Sequence, residues 1–249
     1  CTMKTYDGNR KEYDTYGAGL FGILSNADVS GLNIKGTRIE VATNNHCFAA
    51  PIAGLCDNSN ISDCIISDSY VSLTDSAKMW GTGGIAGFGS GNLDNVSTDV
   101  TLVCIDTDKQ VKDEQFMGGA YAAGFLNIRN CKINIDGYDS DHGYVHDGGL
   151  VGMYMVYPYD LSLTYAGEVL NNEVYGQITF YEDNTDRRAY CKANMGEVMN
   201  WTYAYSGFKY DFDANETFDY SVTLLPEKCD NPVYNLSLIH ISEPTRLQL

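Results

Sequence analysis

The stretch "GTGGIAGFGSGNLDNVSTDVTLVCID", residues 81–106, decides the fold. Four glycines stand in its first seven residues, a Gly-, Asn- and Asp-rich loop follows, and then hydrophobics recur two apart. Glycines let a backbone turn tightly and pack close to a neighbour, while the alternating run is a strand with one face in a core. A chain that joins the two directly is turning a corner into a strand.

Outward from this stretch the same two elements recur. "GLFG" (19–22), "PIAG" (51–54), "GIAG" (84–87), "YAAG" (121–124) and "GLVG" (149–152) form the first, so its glycines are Gly19, Gly22, Gly54, Gly84, Gly87, Gly124, Gly149 and Gly152. The second runs from Val29 to Leu32, Ile61 to Cys64, Leu93 to Val96, Ile128 to Cys131 and Leu170 to Glu173. Its third residue is Asp63, Asn95, Asn130 or Asn172, with Gly31 in the first copy, and such residues suit a left-handed corner. The closing glycines of the first element lie 32, 33, 37 and 28 residues apart, a loose but persistent spacing that predicts a solenoid with variable loops. Coils stacked about 4.8 Å apart place like residues above like, with aliphatic ladders inside and Asn, Asp or Ser outside.

On "GLVG", "GIAG" and "IRNC" the chain resembles the GLUG-motif repeats of bacterial secreted and surface proteins, over residues 17 to about 181. The resemblance implies an all-β chain: a parallel, right-handed β-helix over 1–185 on a secreted or wall-attached protein. Adhesion or a structural stalk is the role it implies, with a large enzyme as an occasional host.

Composition narrows the partners. The formal net charge is -17, from 33 acidic and 16 basic residues, and no run of Lys or Arg could track a phosphate backbone, which argues against nucleic acid and anionic membrane. No window is apolar enough for a membrane span. "GTGGIAG" lacks the Lys-Ser/Thr of a phosphate loop, and neither a Gly-x-Ser-x-Gly elbow nor a His-Glu-x-x-His occurs. Of the eight cysteines none forms a Cys-x-x-Cys pair, which argues against structural zinc and for burial of most as small hydrophobes.

After the repeats, aromatics alternate from Trp201 through Tyr203, Tyr205, Phe208, Tyr210, Phe212, Phe218 and Tyr220. With turns at "SG" and "DANE", this predicts a small antiparallel meander in a C-terminal β segment, 186–235. Cys191 and Cys229 bracket it and make a disulfide conceivable in an oxidising compartment. The tail, 236–249, departs in character: Leu236 to Arg246 match the translation of a transposon-end sequencing adapter, so it is expected to be non-native and the rest a fragment of a longer gene from environmental reads.

Chemistry-bearing residues concentrate in "DGYDSDHGYVHDGG". Asp136, Asp139, Asp141 and Asp147 have the Asp-x-Asp and glycine character of a partial calcium loop without its terminal Glu, and His142 and His146 stand beside them. The plainer reading is a solvated loop between coils. Basic residues that would serve a lyase are sparse, chiefly Arg38, Lys78 and Arg129. The sequence therefore favours a non-catalytic surface scaffold or adhesin, extracellular or on the cell surface, binding a protein or polysaccharide. The alternatives are a polysaccharide lyase or glycoside hydrolase tested first at Asp139, Asp141 and His142, and a calcium-dependent carbohydrate-binding module.

Overall fold

A computed structural model describes residues 2–6, 12–75, 79–107, 114–139, 144–156, 168–182, 188–192, 195–200, 209–210 and 216–224. Strand β1 (Thr2–Tyr6) pairs antiparallel with β2 (Glu12–Ala18). Every other strand pair among the described residues is parallel, and the chain winds repeatedly through three sheets.

The first coil comprises β2, then β3 (Phe21–Ser25) with β4 (Asp28–Ser30), then β5 (Asn33–Lys35) with β6 (Arg38–Ala42). The second is β7 (Cys47–Ala49), β8 (Ala53–Ser62) and β9 (Ile65–Asp75), and the third β10 (Met79–Gly83), β11 (Ala86–Asp94) and β12 (Ser97–Asp106). The fourth is β13 (Glu114–Gly118), β14 (Tyr121–Arg129) and β15 (Lys132–Asp139). In the fifth, β16 (Tyr144–Gly148) leads to β17 (Val151–Val156) with β18 (Glu168–Leu170), then β19 (Glu173–Glu182). The sixth has β20 (Arg188–Lys192), β21 (Met195–Asn200) with β22 (Lys209–Tyr210), and β23 (Glu216–Leu224). Sheet A stacks β2-β7-β10-β13-β16-β20, sheet B β3-β8-β11-β14-β17-β21 and sheet C β5-β9-β12-β15-β19-β23.

The corner between sheets B and C shows how sequence makes the coil. Asp63, Asn95, Asn130 and Asn171 have φ of 52°, 53°, 56° and 58°, and Gly31 in the first coil has 68°. Asn and Asp tolerate this left-handed conformation better than other side-chain-bearing residues, and here their amides also tie coils together. Asn95 Nδ2 donates to Asp63 Oδ1 at 2.7 Å, and Asn130 Nδ2 to Asp94 Oδ1 at 2.8 Å. The residue after the corner turns inward, and where it is Cys its thiol donates to the carbonyl two residues back: Cys64 to Ser62 at 3.0 Å, Cys131 to Arg129 at 3.2 Å. Just before the corner, Ile61, Leu93, Ile128 and Val169 form a buried column. Burying each such side chain contributes roughly 1.5–3 kcal/mol.

Sheet A is a middle layer rather than an outer wall. Cys47, Phe48 and Ala49 are all buried, although successive strand residues face opposite ways. Cys47 and Ala49 pack with Val71, Leu73, Val100 and Leu102 of sheet C, whereas Phe48 packs with Leu55 and Phe88 of sheet B. Close approach of sheets A and B is what the Gly-x-x-Gly element provides: a Cβ on Gly87 would lie 2.4 Å from the Gly54 carbonyl oxygen and 2.7 Å from the Phe48 Cβ. Gly81 sits in the register position between Phe48 and Phe116, and its missing side chain lets those two rings approach to 6.1 Å across an intervening coil.

Three expectations change in detail. Register aligns Gly22, Gly54, Gly87, Ala122 and Gly152, so the fourth copy is "GAYA" (119–122), and Gly124 instead opposes Gly89. With Ala122 in that place the last two intervals become 35 and 30 residues instead of 37 and 28: only one small residue is needed at the A–B contact, and Ala122 supplies it. The fifth corner is Asn171, not Asn172, because Ile128 opposes Val169. Asn172 takes the inward place of Cys131 and is satisfied there, donating to the Ile128 carbonyl at 2.9 Å and accepting from the Cys131 backbone N–H at 3.0 Å.

Finally, strand pairing runs across the 185/186 boundary: β20, β21, β22 and β23 pair parallel with β16, β17, β18 and β19, where an antiparallel meander was expected. Aromatic alternation specifies which face of a strand is apolar but not the direction of its partner, and the open edge of the fifth coil pairs equally well with a parallel strand. Trp201, Tyr203, Tyr205, Phe208, Phe212 and the tail 236–249 lie outside the described residues.

Candidate functional site: the outward face of sheet C

The second halves of the repeats, "STDVTLVCID", "KINIDGYD" and "EVYGQITFYE", become β12, β15 and β19 in neighbouring coils. Their alternation buries Val100, Ile133, Ile135 and Ile178 and turns the intervening residues outward. Register stacks Asp99, Asn134 and Tyr175 in one outward column and Thr101, Asp136 and Gln177 in the next. Between the columns runs an open groove of about 270 Å³, walled by Asp99 and Asn134 on one side and Asp136 and Gln177 on the other, with Ile135 and Gly176 beneath. Gly176 has φ 108°, a conformation that only glycine adopts readily.

Amides cross-link the coils along both walls. Asn134 Nδ2 donates to Asp99 Oδ1 at 3.0 Å, and Gln177 Nε2 to Asp136 Oδ1 at 3.0 Å. The Tyr138 hydroxyl donates to Asp136 Oδ2 at 3.0 Å. Beyond the groove, the Tyr175 hydroxyl donates to Glu173 Oε2 at 2.6 Å, and Lys132 Nζ lies 3.6 Å from Glu173 and 5.2 Å from the Tyr175 ring centroid. The hydrogen bond from Tyr175, helped by the Lys132 charge, lowers the Glu173 carboxyl below its usual range, and the same bond raises the Tyr175 phenol. In the first two coils of the same face Arg38 pairs with Glu40 at 2.6 Å and lies 4.2 Å over the Tyr70 ring.

A second outward array lies on sheet B. Asn60 donates to Asp28 at 2.6 Å, Asn92 to Asn60 at 2.5 Å and Asn127 to Asn92 at 2.6 Å, a continuous amide ladder over four coils.

The acidic stretch expected to be a loop is mostly strand. Asp136 faces outward on β15, whereas Asp139 is 0% exposed on its inward face and Asp147 is 0% exposed on β16. An odd separation along a strand puts two residues on opposite faces, which the Asp-x-Asp spacing concealed. Asp136 is thereby separated from Asp139 and Asp147, while Asp141 and His142 lie outside the described residues. Among the described residues no group of three or more His, Cys, Asp or Glu is placed to hold a metal. Asp147 Oδ1 accepts from Gln115 Nε2 at 3.4 Å, and His146 stacks on Phe116 with centroids 5.1 Å apart. Asp139 is out of reach of a polymer in solution, so the glycosidase or lyase role considered for it has no geometric basis.

Cys47, Cys56, Cys64, Cys104 and Cys131 are free and buried. Burial pushes the Cys56 thiol up to about 11 and those of Cys47 and Cys131 up to about 12, and it also raises Cys104. These four remain protonated at neutral pH and cannot act as nucleophiles. Cys191 lies in β20, but its side chain and Cys229 fall outside the described residues, and with them the disulfide considered above.

Sequence reasoning passed over Asp99, Asn134, Tyr175 and Gln177. Their signal was the outward half of the same alternation that located the core, legible only once the coils are in register. No protein family, curated protein or solved structure matches the chain.

Proposed function

We propose that the chain is a non-catalytic surface scaffold, part of an adhesin of an extracellular protein, whose outward faces carry the binding side chains. The observation that carries the reading is the pair of amide and carboxylate arrays on sheets B and C, built coil by coil on a stack whose core is filled mainly by aliphatic and aromatic side chains. Each coil adds a further polar group to a column at about 4.8 Å intervals, and a polymer that engages several of them gains from effective concentration. Each amide is fixed by its neighbour before any partner arrives, which lowers the entropy lost on binding. The net charge of -17 keeps such a surface soluble and self-repelling.

Affinity electrophoresis of the full chain through gels containing single soluble polysaccharides tests this, together with a reducing-end assay on the same polymers. The expected result is retardation by at least one polymer with no new chain ends. Turnover of any polymer, or free migration through all of them, refutes it.

A further inference from the structure

We infer that the groove between the Asp99 and Asp136 columns of sheet C binds an uncharged polysaccharide, laid along the stacking axis and crossing the third, fourth and fifth coils. The inference rests on the adhesin reading and names the ligand class of one face.

Direction comes from the lining. Asp99 belongs to the third coil, Asn134 and Asp136 to the fourth, and Gly176 and Gln177 to the fifth, so the floor between the walls runs across the strands. Coils repeat every 4.8 Å or so, close to the advance per sugar in an extended glycan, so successive sugars meet the wall residues of successive coils.

The ligand class follows from donors and acceptors. Asn134 spends one N–H on Asp99, and Gln177 spends one on Asp136. Each amide retains a second N–H and its carbonyl oxygen, beside a carboxylate that accepts further bonds. A wall that donates and accepts within a few ångströms suits a hydroxyl, which does both. Two tyrosines lie next to the lining residues without joining them, Tyr138 hydrogen-bonded to Asp136 and Tyr175 beside Asn134 in its column.

Charge decides between neutral and acidic polymers. Asp99 and Asp136 make the walls negative, while among the described residues of this face Lys132 pairs with Glu173, Arg38 with Glu40 and Lys35 with Asp68. A uronate or phosphate polymer would meet repulsion with no cation among the described lining residues to offset it.

Isothermal titration calorimetry on the full chain tests the inference, with cellohexaose and xylohexaose as neutral probes and hexagalacturonate as the acidic one, each with and without EDTA. The variants are Asn134→Ala, Gln177→Ala and, in the exposed turn between β6 and β7 outside both arrays, Asn45→Ala, with a thermal melt of each to confirm the fold. Saturable binding of a neutral hexamer that is EDTA-resistant, weakened about tenfold or more by either groove substitution and unchanged by Asn45→Ala is expected. Neutral binding that survives both groove substitutions overturns the groove assignment alone and leaves the adhesin reading standing. Preference for hexagalacturonate, or loss of binding in EDTA, overturns the ligand class. A chain retarded by no polysaccharide in the electrophoresis above overturns both readings.

Discussion

Asn95→Ala and Asn95→Gly, compared with each other, separate the two tasks of a corner residue. Asn95 holds φ at 53°, its backbone N–H donates to the Arg129 carbonyl of the next coil at 3.1 Å, and its side chain donates to Asp63 at 2.7 Å. Alanine keeps the backbone bond but enters the left-handed region at a cost of roughly 1–2 kcal/mol. It also loses an exposed side-chain bond worth about 0.5 kcal/mol, near the low end for a net hydrogen bond. Glycine loses that bond too, yet occupies the left-handed region freely, and its extra freedom in the unfolded chain costs another ~0.5 kcal/mol or so. Alanine should therefore destabilise by about 2 kcal/mol and glycine by about 1. Stacked coils open locally, so the fitting readout is native-state hydrogen exchange of peptides spanning residues 90–100, supported by urea unfolding. If alanine proves as stable as glycine, the corner is not held by backbone conformation and the account of the motif fails.

Gly87→Ala places a methyl group 2.4 Å from the Gly54 carbonyl oxygen and should destabilise by roughly 1–3 kcal/mol, whereas Gly31→Ala, with nothing within 4 Å, should pay only the backbone term; urea midpoints distinguish them. Phe116→Ala removes a fully buried ring that contacts both Phe48 and His146, and a loss of about 3–5 kcal/mol is expected in the same assay. The buried thiols make stability fall in alkali. Their folded pKa values of about 11 for Cys56 and about 12 for Cys47 and Cys131 stand above the ordinary 9.0. The contribution is complete below about pH 9 and is lost as pH rises toward 11–12, by roughly 1.4 kcal/mol per pH unit per thiol. Urea midpoints measured in reductant at rising pH should drop over that window, and Cys47→Ala/Cys131→Ala should flatten the drop.

The solenoid was legible because its two requirements, a small residue where sheets A and B touch and a left-handed residue at the B–C corner, each leave a residue type in the sequence. Register was less so. "YAAG" satisfied a glycine pattern while "GAYA" satisfied the packing, and Leu170 imitated the inward aliphatic that Val169 is. The double burial of sheet A left a sign in the absence of alternation at Cys47, Phe48 and Ala49, but a continuous apolar run cannot say which layer lies on which side. The acidic stretch misled for a related reason: clustering in sequence was read as clustering in space, and a pleated strand divides consecutive residues between two environments. The groove on sheet C was hidden because its walls come from residues 35 to 41 positions apart, which no local motif joins.

The registered corners bear on how such a chain lengthens or shortens. Ala53 and Ala86 occupy the same place in successive coils, so excising residues 54–86 would splice Ala53 to Gly87 in phase, with each sheet one strand shorter. The extra residues of the fifth coil fall between β17 and β18, outside both stretches of pairing, and the strands on either side keep their partners in β14. Duplication of a whole circuit and insertion between two paired strand segments are therefore the changes this architecture inherits cheaply. A one-residue slip inside a strand would turn every later side chain of that strand to the wrong face.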